Sequence, residues 1–113
     1  EAITRTMSHH AATALRAGAD GVFFATQMAT GELLTREEHE RFDAPYARRV
    51  LEAVASQSTC TLLHVHGTDI YFDDLAAMPV HAVNWHDRRT APSLAKPQRS
   101  TSAAPRSKLC SAT

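Results

Sequence analysis

Three histidines and their neighbours stand where this chain could do chemistry. The run Leu62-Leu63-His64-Val65-His66-Gly67 reads as a buried strand that ends in two imidazoles and a glycine turn. Alternate side chains of a strand share a face, so His64 and His66 project together while Leu63 and Val65 pack the other way. The pattern repeats in Gly21 to Gln27, which closes on Thr26 and Gln27, and in Val80 to Asp87, which closes on Asn84, Trp85, His86 and Asp87. Parallel α/β sheets bind ligands outside the carboxyl ends of their strands, so three polar strand ends predict one mouth lined by Thr26, Gln27, His64, His66, Asn84 and His86. Hydroxyl, amide and imidazole groups there hold substrate by hydrogen bonds, and His64 with His66 also has the donors for a metal such as zinc. The plainer alternative is that these groups only end buried strands, with the histidines a hydrogen-bonded pair filling a barrel interior.

Other chemistry is absent from the pattern. Glu37, Glu38 and Glu40 read as a solvated helix face with no second carboxylate cluster, and no phosphate-binding glycine motif, serine elbow or nucleotide fingerprint occurs. His9, His10 and His39 fall on helices, where packing or solvation is their expected role. Phe23, Phe24, Phe42 and Tyr46 are expected in the core.

The elements that must position these groups follow from periodicity and punctuation. Ile3, Met7, Ala11, Ala14 and Leu15 have helical spacing from Ala2 to Ala17, and Gly18 supplies a left-handed stop. The Val22 to Ala25 run is too short for a helix and apolar on both faces, as expected of a strand covered on each side. Thr35-Arg36-Glu37-Glu38 has the spacing of a capping box. Pro45 predicts a break, giving one short helix from Arg36 to about Phe42 and a second to about Ala55 that buries Tyr46, Val50, Leu51 and Val54. After the Cys60 to His66 strand, Phe72, Leu75 and Met78 space a short helix that Pro79 ends, before the last strand, Val80 to Trp85. The expected architecture is α/β, with three parallel strands that are neighbours in chain order.

Charge divides the chain. Its 113 residues carry no formal net charge, yet residues 1–87 hold six Arg against twelve acids, and residues 88–113 hold six Lys or Arg and no acid. The body, 1–87, suits one modest domain. The tail, 88–113, is rich in Ser, Ala, Pro and Thr with only two Leu, too little apolar surface to offset a backbone ordering cost of roughly 1–2 kcal/mol per residue, and is expected to be disordered. It lacks the aromatic residues and helical charge stripe of a nucleic-acid binder. Two cysteines without disulfide spacing, no leader and no long apolar run predict a cytoplasmic protein without a membrane partner. Glu1 in place of Met reads as a piece of a longer chain, whose three-stranded sheet would expose two edges open to self-association.

Four segments together carry a resemblance: Ala17-Gly18-Ala19-Asp20-Gly21-Val22-Phe23-Phe24, Phe42-Asp43-Ala44-Pro45-Tyr46 followed by Val50-Leu51, His64-Val65-His66-Gly67, and Asn84-Trp85. In this order they resemble the uroporphyrinogen decarboxylase superfamily of (β/α)8 barrels, around its fifth to seventh strands. The resemblance implies a C-terminal fragment of such a barrel, acting in its parent on a small carboxylated tetrapyrrole without metal or organic cofactor. Thr26 lies where the decarboxylases have a small hydroxyl residue near substrate. The family's N-terminal arginines, early-strand aspartate, tyrosine and late histidine match nothing here, so the chain alone is expected to be inactive. His64-Val65-His66-Gly67 also resembles the His-x-Cys-Gly strand end of the corrinoid methyltransferase branch, which implies zinc at His64 and His66 with a third ligand still required. Asn84-Trp85 matches a family Asp-Trp pair with an amide in place of the carboxylate. The motif pattern stops after Leu94-Ala95, as a shifted reading frame would make it stop.

Overall fold

The computed structural model describes residues 1–94 and the backbone of residues 109–111. Helix α1, Ala2–Arg16, ends as its sequence dictates: Gly18 takes a φ of +110°, its N–H bonds Leu15 O at 3.1 Å, and the N–H of Ala19 bonds Ala14 O at 3.1 Å. That pair of bonds satisfies carbonyls the helix leaves open, and it needs a residue at ease with positive φ. Strand β1, Gly21–Thr26, follows. A Cβ at Gly21 would stand 1.9 Å from Cys60 O, so only glycine lets the two strands start side by side.

The predicted capping box opens α2, Arg36–Glu38: Glu38 N–H donates to Thr35 Oγ1 at 3.3 Å, and Thr35 N–H to Glu38 Oε2 at 2.9 Å. The break expected at Pro45 does not occur. The helix instead runs through a π-helical turn, His39–Asp43, into α3, Ala44–Val54. Proline clashes with the carbonyl four residues back. Here the N–H of Ala44 reaches five back, to His39 O, and the widened turn carries Pro45 at the head of α3 without ending the helix.

Strand β2, Cys60–Val65, helix α4, Phe72–Ala76, and strand β3, Ala82–Trp85, complete the alternation. Strands β1, β2 and β3 are parallel neighbours in chain order, with Phe23 opposite Leu62 and Ala82, Ala25 opposite His64 and Asn84, and Thr26 opposite Val65 and Trp85. The fold is thus α/β, one open parallel sheet with helices between its strands. A fourth strand, β4, Leu109–Ser111, pairs in parallel with β3.

The core lies between the sheet and its helices, where Leu51, Leu63, Val65, Leu75, Val83 and Trp85 are buried. The other face of β1 is not covered as its sequence led us to expect. Phe23 is 66% exposed there, and Phe42, on the π-turn, is 59% exposed, so neither joins the core. Phe23 lies beside His64 on the open face, and Phe42 borders an open groove with Ile3 and Met7, so both stay largely accessible. Tyr46 is half-buried beside the buried Val50, Leu51 and Val54. Order also continues past Asp87, the boundary composition predicted: Pro92 is buried, and its carbonyl accepts from Trp85 Nε1–H at 2.8 Å. The remainder of the expected tail lies outside the described residues apart from β4.

Candidate functional site

The polar strand ends come from one face of the sheet. His64 and Asn84 are register partners, and His64 Nδ1 lies 2.6 Å from Asn84 Oδ1. An amide oxygen can only accept, so Nδ1 carries the proton and donates. That leaves Nε2 as the acceptor in the neutral ring. His86 stands edge-on to both His64 and His66, with ring centroids 6.0 Å apart in each pair. Phe23 lies one layer below and stacks on His64 at 5.8 Å. The open face therefore changes upward from an apolar layer of Phe23, Leu62 and Ala82, through Ala25, His64 and Asn84, to His66 and His86 at the rim. Leu63 and Val65 meet the helices, as alternation requires.

Thr26 does not join them. It pairs with Val65, so its side chain shares the helix face, where it is buried, and only its carbonyl meets the cluster by accepting His66 N–H at 3.1 Å. Gln27 is exposed just beyond it. Both border a groove of about 300 Å³ with Ile3, Met7, Phe24 and Phe42, on the other side of β1 from the histidines. The predicted set thus divides into four residues brought together, His64, His66, Asn84 and His86, and two set apart.

The two strand-to-helix loops, Gln27 to Leu34 and Gly67 to Asp69, are legible in the sequence, but the bonds that join them at this rim are not. Thr30 Oγ1–H donates to Thr68 O at 2.8 Å, Thr68 N–H to Glu32 Oε2 at 3.0 Å, and Gly31 N–H to Asp69 O at 3.0 Å, so the loops after β1 and β2 form one platform. Asp69 holds a φ of +41°, and a Cβ at Gly31 would stand 2.2 Å from its Oδ2. The hydroxyl and N–H of Thr68 hold the Glu32 carboxyl below its ordinary value of 4.5, with a smaller contribution from nearby His66. The available signal was position, since loops after parallel strands carry function, and Gly31 and Gly67 permit the close approach to Asp69 and Thr30.

Behind the platform His39 is fully buried. Its Nδ1 lies 2.9 Å from Asp43 Oδ2, its Nε2 3.8 Å from Asp74 Oδ2, and its ring stacks on Tyr71 at 4.8 Å. Arg36 pairs with the same Asp74 at 2.8 Å. His39 therefore packs helix to loop, the role its helical position predicted, while His9 and His10 are exposed.

Among the described residues no group of three His, Cys, Asp or Glu side chains is arranged to hold a metal ion, and no helix is long and apolar enough to cross a membrane. No curated protein and no solved structure matches the chain. Residues 1–105 match the family described as uroporphyrinogen decarboxylase (URO-D), a match that runs ten residues past Ala95, where the motifs stop. With 105 of 113 residues matched, the chain belongs to the uroporphyrinogen decarboxylase family.

Proposed function

We propose that this chain supplies part of the mouth of a decarboxylase barrel that removes carboxyl groups from a tetrapyrrole, and that it binds this substrate class through the open sheet face. The observation that carries the reading is the convergence of His64, His66, His86 and Asn84 above an apolar layer. A tetrapyrrole is apolar across its body and anionic at its rim, and this face has the same division. Imidazole N–H groups donate to carboxylates.

In the reaction the bond between a side-chain methylene and its carboxyl group breaks, its electron pair passes into the protonated pyrrole, CO2 leaves, the methylene takes up a proton to become methyl, and the ring carbon gives up the proton it first received. Asn84 fixes the tautomer of His64 without adding charge, which suits an imidazole that orients a carboxylate better than one that must become a cation. The carboxylate that stabilises the protonated pyrrole in the family matches no position here, so the chain alone binds without turnover. A cytoplasmic setting fits the exposed free thiol of Cys60.

Quenching of Trp85 fluorescence on titration with an octacarboxylated porphyrin tests the reading. Native chain saturates, and His64→Ala with His86→Ala weakens binding at least tenfold; equal affinity in both would remove the reading, as would robust decarboxylation by the chain alone remove its incompleteness. The methyltransferase alternative keeps His64 and His66 as two zinc ligands, but the described residues supply no third that fits. Stoichiometric zinc lost in His64→Ala would favour that alternative.

A further inference from the structure

We propose that the N–H and hydroxyl of Thr68, beside His66, form a subsite for one carboxylate of the substrate, and that the side chain of Glu32 fills this subsite until the substrate carboxylate replaces it. This deepens the reading of the mouth as a binder of carboxylated tetrapyrroles and rests on it.

What Glu32 touches defines the subsite. Its Oε2 accepts Thr68 N–H at 3.0 Å, the Thr68 hydroxyl also donates to the carboxyl, and the His66 ring is near enough to act on its charge. A backbone N–H, a hydroxyl and an imidazole around one carboxylate are donors that suit a carboxylate from the chain or from a ligand. His66 also stands edge-on to His86, with ring centroids 6.0 Å apart, so the subsite continues the imidazole cluster past the rim of the sheet.

These donors keep their places when Glu32 leaves. Before Thr68, His66 N–H is held on Thr26 O at 3.1 Å; after its N–H, Thr30 Oγ1–H holds Thr68 O at 2.8 Å and Gly31 N–H holds Asp69 O at 3.0 Å. None of these bonds uses the Glu32 carboxyl. The N–H of Glu32 bonds Thr30 Oγ1 at 3.3 Å, which fixes its backbone, while its side chain is exposed and free to turn into water.

Charge gives the exchange its consequence. Thr68 holds the Glu32 carboxyl below its ordinary value of 4.5, so it is ionised at neutral pH and opposes an incoming carboxylate as long as it occupies the donors. A tethered group competes at a high effective concentration. Removing its charge therefore strengthens binding, the opposite of what loss of a loop staple would do.

Titration of Glu32→Gln tests this on the full chain, because glutamine keeps an acceptor for Thr68 N–H and removes only the charge. With an octacarboxylated porphyrin, Trp85 quenching should give a dissociation constant about three- to tenfold below native, the size of one like-charge contact near water. The Thr68 amide resonance should move as the porphyrin saturates. Equal or weaker binding by Glu32→Gln overturns the proposal, as does a Thr68 amide that stays still. Sodium acetate separates the subsite from the tetrapyrrole: it should shift the Thr68 amide saturably in Glu32→Gln and less in the native chain. No quenching in either chain together with that acetate shift removes the tetrapyrrole and keeps the subsite. Quenching with no acetate shift and no gain in Glu32→Gln removes the subsite and keeps the tetrapyrrole.

Discussion

The two faces of the sheet are made by the same strands and are built to opposite ends. Towards the helices, Leu63 is 1% exposed and Val65, Val83 and Trp85 are fully buried; on the other face their chain neighbours His64 and Asn84 are half-open and Phe23 is 66% exposed. Period-two alternation lets one residue serve stability and leaves the next free for the binding role proposed above. Stability and binding should therefore respond to different substitutions, one position apart.

The strongest way to break that division is at the helix face. Trp85 fills the core against Phe72, with ring centroids 4.8 Å apart, and donates to Pro92 O. Trp85→Ala should lower unfolding free energy by about 3–5 kcal/mol and Leu63→Ala by about 2–5 kcal/mol in urea denaturation. A loss under about 1 kcal/mol at both positions would show that the helix face is not the core. Next in size is the cap of α2: Thr35→Ala removes the acceptor for Glu38 N–H and should cost about 1 kcal/mol by the same measurement, while leaving porphyrin affinity unchanged.

How much of this division was legible follows from what each signal encodes. Alternation in Leu62 to His66 gave strand, direction and facing, and the helix stop at Gly18 and cap at Thr35 were readable because each depends on a few adjacent residues. Thr26 was misplaced because its face is set by registration with Val65, a residue 39 positions away that no local pattern reports. Pro45 signals a helix break, and only the carbonyl five residues before Ala44 shows how the chain avoids one. The joining of the loops around Thr30, Glu32 and Thr68 was invisible for the same reason as Thr26, since its bonds span more than 30 residues.

Those loops sharpen the comparison through pH. The carboxyls of Glu32 and Glu38 are held below 4.5, the first by Thr68 and the second by the backbone N–H and hydroxyl of Thr35. A depressed carboxyl adds stability above its unfolded value and loses it as pH falls through the lower folded one. Protection of the Thr68 and Thr35 amides, relative to their intrinsic exchange at each pH, should therefore fall as the pH drops below 4.5, before the core amides of β2 respond. Simultaneous loss of protection in both would mean that the loop platform unfolds only with the sheet.

The smallest expected change in stability lies at the rim. His66 is exposed, its backbone N–H rather than its ring bonds Thr26 O, and its ring meets His86 and lies near the exposed Glu32 carboxyl. His66→Ala should shift unfolding free energy by no more than about 0.5 kcal/mol, the range of a surface substitution. The same change removes one of three imidazoles from the mouth, so porphyrin affinity should fall severalfold. If His66→Ala destabilised the chain as Leu63→Ala does, the rim would be part of the core and the two faces would not be separable. If neither stability nor affinity moved, the ligand surface would end at His64 and His86, one layer below the rim.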